Sequence, residues 1–524
     1  MTGFRYYLEN EFTSIYIFNL RGNQRTSGEL SRQEGGKIFG SGSRTPISIS
    51  LLVKNPSQKK VKSTIHYYDI GDYLSREKKL EIINKFSTVS NIKWIILSPN
   101  KHNDWLSQRN DVYSTFISIG DKENKLQNTF FTTNYSLGIA TGRDHFCWNY
   151  SSKLLKKKIK ETIEFYNAQC TSFKIAKNKE SKISIDDFVE YDHTKISWNA
   201  NFKQDIERGI KYNFISENVF HGIYRPFCKQ NVYFSNELNA RQYQMTKIFP
   251  KRVYENIIIC VSGLGSTKEN SVYLSNTVTD LNCLSAGTQC FPLYWYEKKE
   301  KIQGSLFDKT DEEYTRHNAI SDFILEQAKT RYGPKVIKED IFYYVYGLLH
   351  SPDYRKTFAN DLKKILPRLP LVEKVADFWA FSKAGRSLAN IHLNYEKQEP
   401  PKEVLINDKP IPKKLIPENQ LIVNKMSFPS KGQKDTIVYN SYLTISNIPE
   451  KAYEYIVNGK SAIEWVMERY AVTTHKESGI KNDPNDWAKE HENPQYILDL
   501  LLSVITVSVK TVEIVEGLPK VEWA

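Results

Sequence analysis

A chain of 524 residues and 61.0 kDa is long enough for about two to four domains and a sizeable core. A 40% hydrophobic share, a mean hydropathy of −0.52 and no apolar run of the ~20 residues that span a bilayer argue against a membrane-embedded protein. A net charge of +13 favours an anionic partner over an acidic-surface role.

The first elements in chain order are a short helical piece, "FRYYLENEF", and a strand from Thr13 to Leu20. Next comes "GGKIFGSGSRTPISISLLVKN", where Phe39 stands alone among small residues before a second strand from Pro46 to Asn55. Ser63 to Gly71 reads as a third extended segment. Three strands and one small helix cannot cover both faces of a sheet, so further chain or another polypeptide is expected to supply the rest. Asp72 or Ser75 can cap the helix "REKKLEIINKF", and "IKWIILSP" follows as a strand.

Ser151 or Ser152 can start a helix from Lys153 to about Asn167, with Leu155, Ile159 and Ile163 at fourfold spacing. A helical pair, "NAISDFILEQAKTRYG" and "KEDIFYYVYGLLH", precedes Ser351, which suits an N-cap with Pro352 in the first turn. The proline-rich stretch Glu396 to Gln420 reads as a linker or edge-wrapping arm. Beyond it "DTIVYNSYLTIS" alternates like one strand, "SAIEWVMERY" reads as a helix, and "NPQYILDLLLSVITVSVKTVEIV" as a long closing helix.

Charge location sharpens the partner. Residues 1–62 hold ten Lys/Arg against four Asp/Glu, and residues 153–179 hold eight lysines against two glutamates. Residues 401–524 are balanced, with fifteen basic and seventeen acidic side chains. Two basic regions with 13% aromatic residues favour nucleic acid, where phosphate contacts supply affinity and rings supply stacking. Each lysine run alone is equally well a solvated helix face.

Several catalytic signatures fail on spacing. Ser262 to Asn270, "SGLGSTKEN", lacks the lysine position of a phosphate loop and reads as a turn. "DYLSREKK" has nuclease-like acids, but in a helical stretch. His145 and Cys147 have no metal-spaced partners. "NPQY" (Asn493 to Tyr496) departs from an amino-methyltransferase motif at Gln495 and reads as a helix start. The six cysteines form no CxxC pair, Met1 is followed by no basic-then-apolar leader, and reduced thiols in a cytoplasmic protein without metal are expected.

The run from Ile15 to Pro56 resembles the type ISP restriction-modification enzymes, as do "HYYDIGDYLSREKKL", "ATGRDHFCWNYS", "YRPFCKQNVYF", "EDIFYYVYGLLHSPDYR" and "YEYIVNGKSAIEWVMERY". Such enzymes join a nuclease, a translocating ATPase, a gamma-class adenine methyltransferase and a target-recognition domain. The resemblance implies a mixed α/β and α+β chain in three parts. These are the last strands of a Rossmann-like methyltransferase sheet (1–62), a mixed α/β target-recognition domain (63–399), and a proline-rich linker with a small C-terminal α+β lobe (400–524).

It further implies that double-stranded DNA is the partner. The cofactor S-adenosylmethionine belongs to the complete enzyme, and this chain alone binds none. No catalytic residue is expected here, and the NPPY and cofactor glycine motifs are expected upstream. Phe39 matches the aromatic that stacks on the flipped adenine. Arg21, Asn23, Gln24, Arg25 and Arg44 flank it as DNA-binding candidates, and Lys156, Lys157 and Lys158 join them from the second basic region. Two other readings are half of a split methyltransferase, active with an upstream polypeptide, and an inactive remnant.

Overall fold

Ser14–Asn19 (β1), built of β-branched and aromatic residues, lies inside a four-stranded sheet. It pairs antiparallel with Ser48–Val53 (β2) and in parallel with Thr64–Asp69 (β3), and β3 pairs antiparallel with Ile95–Leu97 (β4). This is the opening of a computed structural model that describes residues 2–24, 34, 38–39, 44–57, 62–123, 128–179, 182–299, 313–412, 415–430 and 432–523. The chain divides into two units, Met1–Tyr113 and Ser114–Ala524.

The first unit also holds the helices Thr2–Glu11 (α1) and Arg76–Phe86 (α2). Ser75 caps α2, its hydroxyl accepting from the Lys78 N–H at 3.3 Å. Phe18, Leu20 and Ile70 form a small core against Ile83, Phe86 and Trp94. The expected boundary at residue 62 does not fall where the division falls. β3 bonds to β1, β4 bonds to β3, and Arg5 of α1 pairs with Asp104 at 3.2 Å, so residues beyond 62 pack with the first unit.

In the second unit the basic segment forms the helix Ser152–Lys179 (α3), longer than the expected end near Asn167. The buried stripe continues through Tyr166, Cys170 and Phe173, which gives the added turns an apolar face to bury. Val219–Arg225 (β5) and Cys228–Tyr233 (β6) form an antiparallel pair with the two-residue strand Trp148–Asn149 on the far side of β6. Ile258–Val261 (β7) sits between Val272–Ser275 (β8) and Gln289–Pro292 (β9), and Ser136–Leu137 closes that sheet beyond β9. Tyr294–Lys298 (β10) pairs antiparallel with Tyr314–Asn318 (β11).

Helices follow: Asp322–Tyr332 (α4), Lys338–Leu349 (α5), Pro352–Thr357 (α6) and Val375–Leu393 (α7). Gly333 ends α4 at φ +107, and Ser351 caps α6 with Pro352 in its first turn, as the sequence predicts. Where α5 crosses α7, two glycines let the backbones touch. A Cβ at Gly385 would lie 1.9 Å from the Tyr343 carbonyl oxygen, and one at Gly347 would lie 2.2 Å from that of Phe381.

Ala462–Arg469 (α8) starts with a capping box of Ser461 and Glu464, and Tyr496–Glu516 (α9) closes the chain. "DTIVYNSYLTIS" differs from the single strand expected. Asn440 Oδ1 accepts from the N–H groups of Tyr442 at 2.8 Å and Leu443 at 2.9 Å, turning the segment into a hairpin. The start of the proline-rich stretch is tied to the closing helix: the Gln398 N–H donates to Ser503 Oγ at 2.7 Å, and Thr506 Oγ1 donates to the Glu399 carbonyl at 2.6 Å. One apolar core runs from Ile139 to Val512, so the 400–524 lobe shares its interior with the preceding domain. The fold is mixed α/β. No described helix is long and apolar enough to cross a membrane.

Candidate nucleic-acid interface

The loop between β1 and β2 is rooted by continued antiparallel bonding. The Leu20 N–H donates to the Ile47 carbonyl at 2.9 Å, and the Gln24 N–H to that of Arg44 at 3.0 Å. One loop therefore carries Arg21, Asn23, Gln24, Arg44 and Phe39, while Arg25 lies outside the described residues.

Arg21 is held from inside. Its Nε and Nη2 donate to Asp69 at 2.8 and 2.7 Å, and its Nη1 to Asp72 at 3.0 Å. The hydrogen bond to Asp69 strengthens the guanidinium's hold on its proton. Burial would raise the Asp69 carboxyl, but hydrogen bonds from Arg21, the Gly71 N–H and Tyr67 outweigh it and bring it down to about 2. Two carboxylates thus neutralise the Arg21 charge, and its role in this geometry is to fix the root of the loop.

Asn23 donates its backbone N–H to Glu34 Oε2 at 3.1 Å. Ile38 packs on the sheet's core, its carbonyl accepting from Arg76 Nε at 3.2 Å. The next residue, Phe39, is 63% exposed. Its ring is free of the core of this unit.

The three candidate lysines of α3, Lys156, Lys157 and Lys158, differ. Lys158 is 2.9 Å from Glu161 and Lys157 3.9 Å, whereas Lys156 has no ion-pair partner among the described residues. The exposed lysines along α3 leave a basic helix face for phosphates.

A groove of about 700 Å³ in the second unit was not legible in the sequence. Lys251, Arg252 and Arg316 line it, drawn from the segment before β7 and from β11. Lys251 pairs with Glu313, and Arg316 lies over the Tyr294 ring with its Cζ 4.4 Å from the centroid. Arg252 is exposed and has no ion pair among the described residues, and Val253 beside it is 79% exposed. A planar cation backed by a ring and a free guanidinium in one groove suit base edges and phosphates. The only sequence signal was "PKRVY", basic residues beside an apolar and an aromatic one.

His145 faces His475 with ring centroids 3.8 Å apart, and burial brings its pKa down to about 4, so it is neutral. Among the described residues no group of three or more His, Cys, Asp or Glu side chains is arranged for a metal ion.

A family model, the Type ISP C-terminal specificity domain, matches residues 129–500. The chain belongs to the Type ISP family. It is 39% identical to a nuclease-deletion mutant of the Type ISP restriction-modification enzyme LlaGI, solved in complex with a DNA substrate mimic. That match has a TM-score of 0.84 and covers 99% of this chain and 45% of the other. The ATP-dependent Type ISP restriction-modification enzyme LlaBIII, bound to DNA, is 36% identical with a TM-score of 0.84, over 100% of this chain and 32% of the other. A DrdV–DNA complex is 28% identical with a TM-score of 0.79, over 99% and 49%. This Type ISP chain thus spans less than half of each of those chains. No curated protein sequence matches it. The specificity-domain match contains both α3 and the groove at Lys251, Arg252 and Arg316.

Proposed function

We propose that this chain docks on duplex DNA, reads an asymmetric site and presents one adenine to a methyltransferase half of a Type ISP restriction-modification enzyme. The observation that carries this reading is the specificity-domain match over residues 129–500, which includes the lysine helix and the basic groove. The DNA-bound relatives support the partner. The lysines of α3 supply sequence-independent phosphate affinity, and Arg252 and Arg316 supply base readout.

S-adenosylmethionine would be held elsewhere. At the carboxyl ends of the parallel strands β1 and β3, Asn19, Arg21, Tyr67 and Asp69 hydrogen-bond one another. On this reading the chain alone transfers no methyl group. An upstream polypeptide would bring the cofactor and the reacting groups, and would cover the exposed apolar residues of β2 and β4.

Fluorescence anisotropy with a randomised duplex library tests the reading. Site-selective binding is expected, with no transfer of labelled methyl groups by the chain alone. Arg252→Gln and Arg316→Gln are expected to relax preference at particular base pairs, each by about 1–3 kcal/mol. Equal affinity for every duplex would overturn the proposal, and methyl transfer by the purified chain would overturn the claim that it is inactive alone.

A further inference from the structure

Val253 is 79% exposed and sits in the chain between Arg252 and Tyr254, both of which line the basic groove. The segment is a tight turn. The Tyr254 N–H donates to the Lys251 carbonyl at 3.1 Å, which leaves Arg252 and Val253 at the two central positions. Neither residue has a positive φ. Turn centres favour Gly, Asn, Asp and Ser, whose side chains or backbone freedom serve the turn itself, and a branched apolar residue offers it nothing. Val253 also buries little of itself. Neither turn chemistry nor packing accounts for a valine here.

The turn is held at both ends. Lys251 pairs with Glu313, and the Tyr254 ring makes edge contacts with Tyr296 of β10 and Tyr314 of β11, at centroid distances of 5.1 and 5.2 Å. Tyr296 Oη donates to the Glu255 carbonyl at 2.6 Å. The buried Asn256 closes the base of the loop, its Nδ2 donating to the carbonyls of Ile248 at 3.1 Å and Tyr294 at 2.6 Å. The end residues of the turn are thus engaged with the protein. At the tip, Arg252 is exposed with no ion pair among the described residues, and Val253 stands beside it.

A guanidinium and a branched apolar side chain on adjacent residues put a donor fork next to an apolar knob. Adjacent Cα atoms are about 3.8 Å apart, close to the ~3.4 Å rise between stacked base pairs. In the major groove the fork matches guanine O6 and N7, and the apolar group displayed there is the C5 methyl of thymine. Side chains that wedge base steps open are typically longer or flat, such as Leu, Met or Phe, so valine suits contact rather than insertion. We propose that Val253 is a specificity-determining residue that contacts the C5 methyl of a thymine, at or next to the base pair read by Arg252. This rests on the duplex-reading function proposed above and adds to it one named chemical feature of the site.

The test starts from the site selected out of the randomised duplex library. Each thymine in it is replaced in turn by deoxyuridine, which removes the methyl group and keeps the Watson–Crick pairing. One replacement is expected to weaken binding by the full chain about fourfold, the effect of returning one methyl group to water. That thymine should lie at or next to the base pair where Arg252→Gln relaxes preference. Val253→Ala should weaken binding to the thymine duplex about threefold or more and abolish the uracil sensitivity at that position, whereas Val253→Ile should keep it. The melting temperature and salt slope of Val253→Ala should match the parent's, because its side chain neither packs nor meets a phosphate. Uracil sensitivity that persists at that position in Val253→Ala, or site-selective binding with no sensitive thymine, overturns the proposal and leaves duplex reading intact. A marked fall in the melting temperature of Val253→Ala with uracil sensitivity unchanged also overturns it, because the valine would then be structural. Equal affinity for every duplex overturns both readings together.

Discussion

Two short apolar strands of similar composition meet opposite fates. β2, "SISLLV", is exposed along its whole length, with Ile49 at 51% and Leu51 at 46%, while β7, "IICV", is completely buried. β7 lies between two antiparallel neighbours inside the large core, whereas β2 is an edge strand bonded only to β1. On the opposite edge, β4 repeats the pattern with Ile95 at 58% and Ile96 at 56%. Composition makes both segments strands, but neighbours decide whether they carry stability. Long exposed apolar edges are surfaces that proteins normally cover.

The largest effect on stability is therefore expected in the second unit. Gly385→Val would drive a branched side chain into the Tyr343 backbone, where even a Cβ would lie 1.9 Å from the carbonyl oxygen. A loss of about 1–3 kcal/mol or more is expected in thermal or urea unfolding. Ile49→Ser on the exposed strand is expected to stay within about 0.5 kcal/mol of the parent. Equal losses would break the contrast between the two regions.

A smaller effect is expected at the root of the loop in the first unit. Asp69 is held at about 2, below its ordinary value of about 4, so it favours the folded state when ionised. That contribution is present above about pH 4 and is lost as pH falls through about 2. The urea midpoint of Asp69→Asn should lie below that of the parent at pH 6, and the gap should close in acid. A gap independent of pH would mean that shape at Asp69, not charge, holds the loop.

Replacing Lys156, Lys157 and Lys158 with glutamine should leave stability nearly unchanged, because no buried group depends on them. DNA affinity should fall for all sequences alike, with the salt slope reduced by about 1–2. Lys156 should account for most of this, since Lys157 and Lys158 already face Glu161. An unchanged slope would make α3 a solvated face.

Much of the fold was legible because its signals are local. Ser75, Ser351 and Gly333 mark helix ends through their own side chains or backbone freedom, and the structure uses all three. Pairing at a distance was not legible. Arg21 looks like a phosphate ligand until Asp69, 48 residues on, closes upon it. Lys251 and Arg316 share a groove only because the β10–β11 pair carries Arg316 back towards the segment before β7. The hairpin at Asn440 was missed because a side-chain-capped turn interrupts an otherwise regular alternation.

The smallest stability effect, and the sharpest functional one, is expected at Phe39. Its ring is 63% exposed and its neighbour Ile38 does the packing, so Phe39→Ala should melt within about 0.5 kcal/mol of the parent. If the ring stacks on an extruded adenine, the variant should still dock through phosphate contacts but hold the base out poorly. Base–aromatic stacking is worth about 1–3 kcal/mol by alanine substitution, which lowers the flipped population roughly tenfold or more. The measurement uses 2-aminopurine at the target position, with the chain combined with the methyltransferase half proposed above. Fluorescence rises as the base leaves the duplex, and stacking on Phe39 damps that rise. Phe39→Trp should retain most of the flipped population, and Phe39→Leu little, because leucine offers no π-face. The opposite ranking, with leucine tolerated and tryptophan disruptive, would assign Phe39 to packing. A loss of ~3–5 kcal/mol on Phe39→Ala, as for a buried phenylalanine, would do the same.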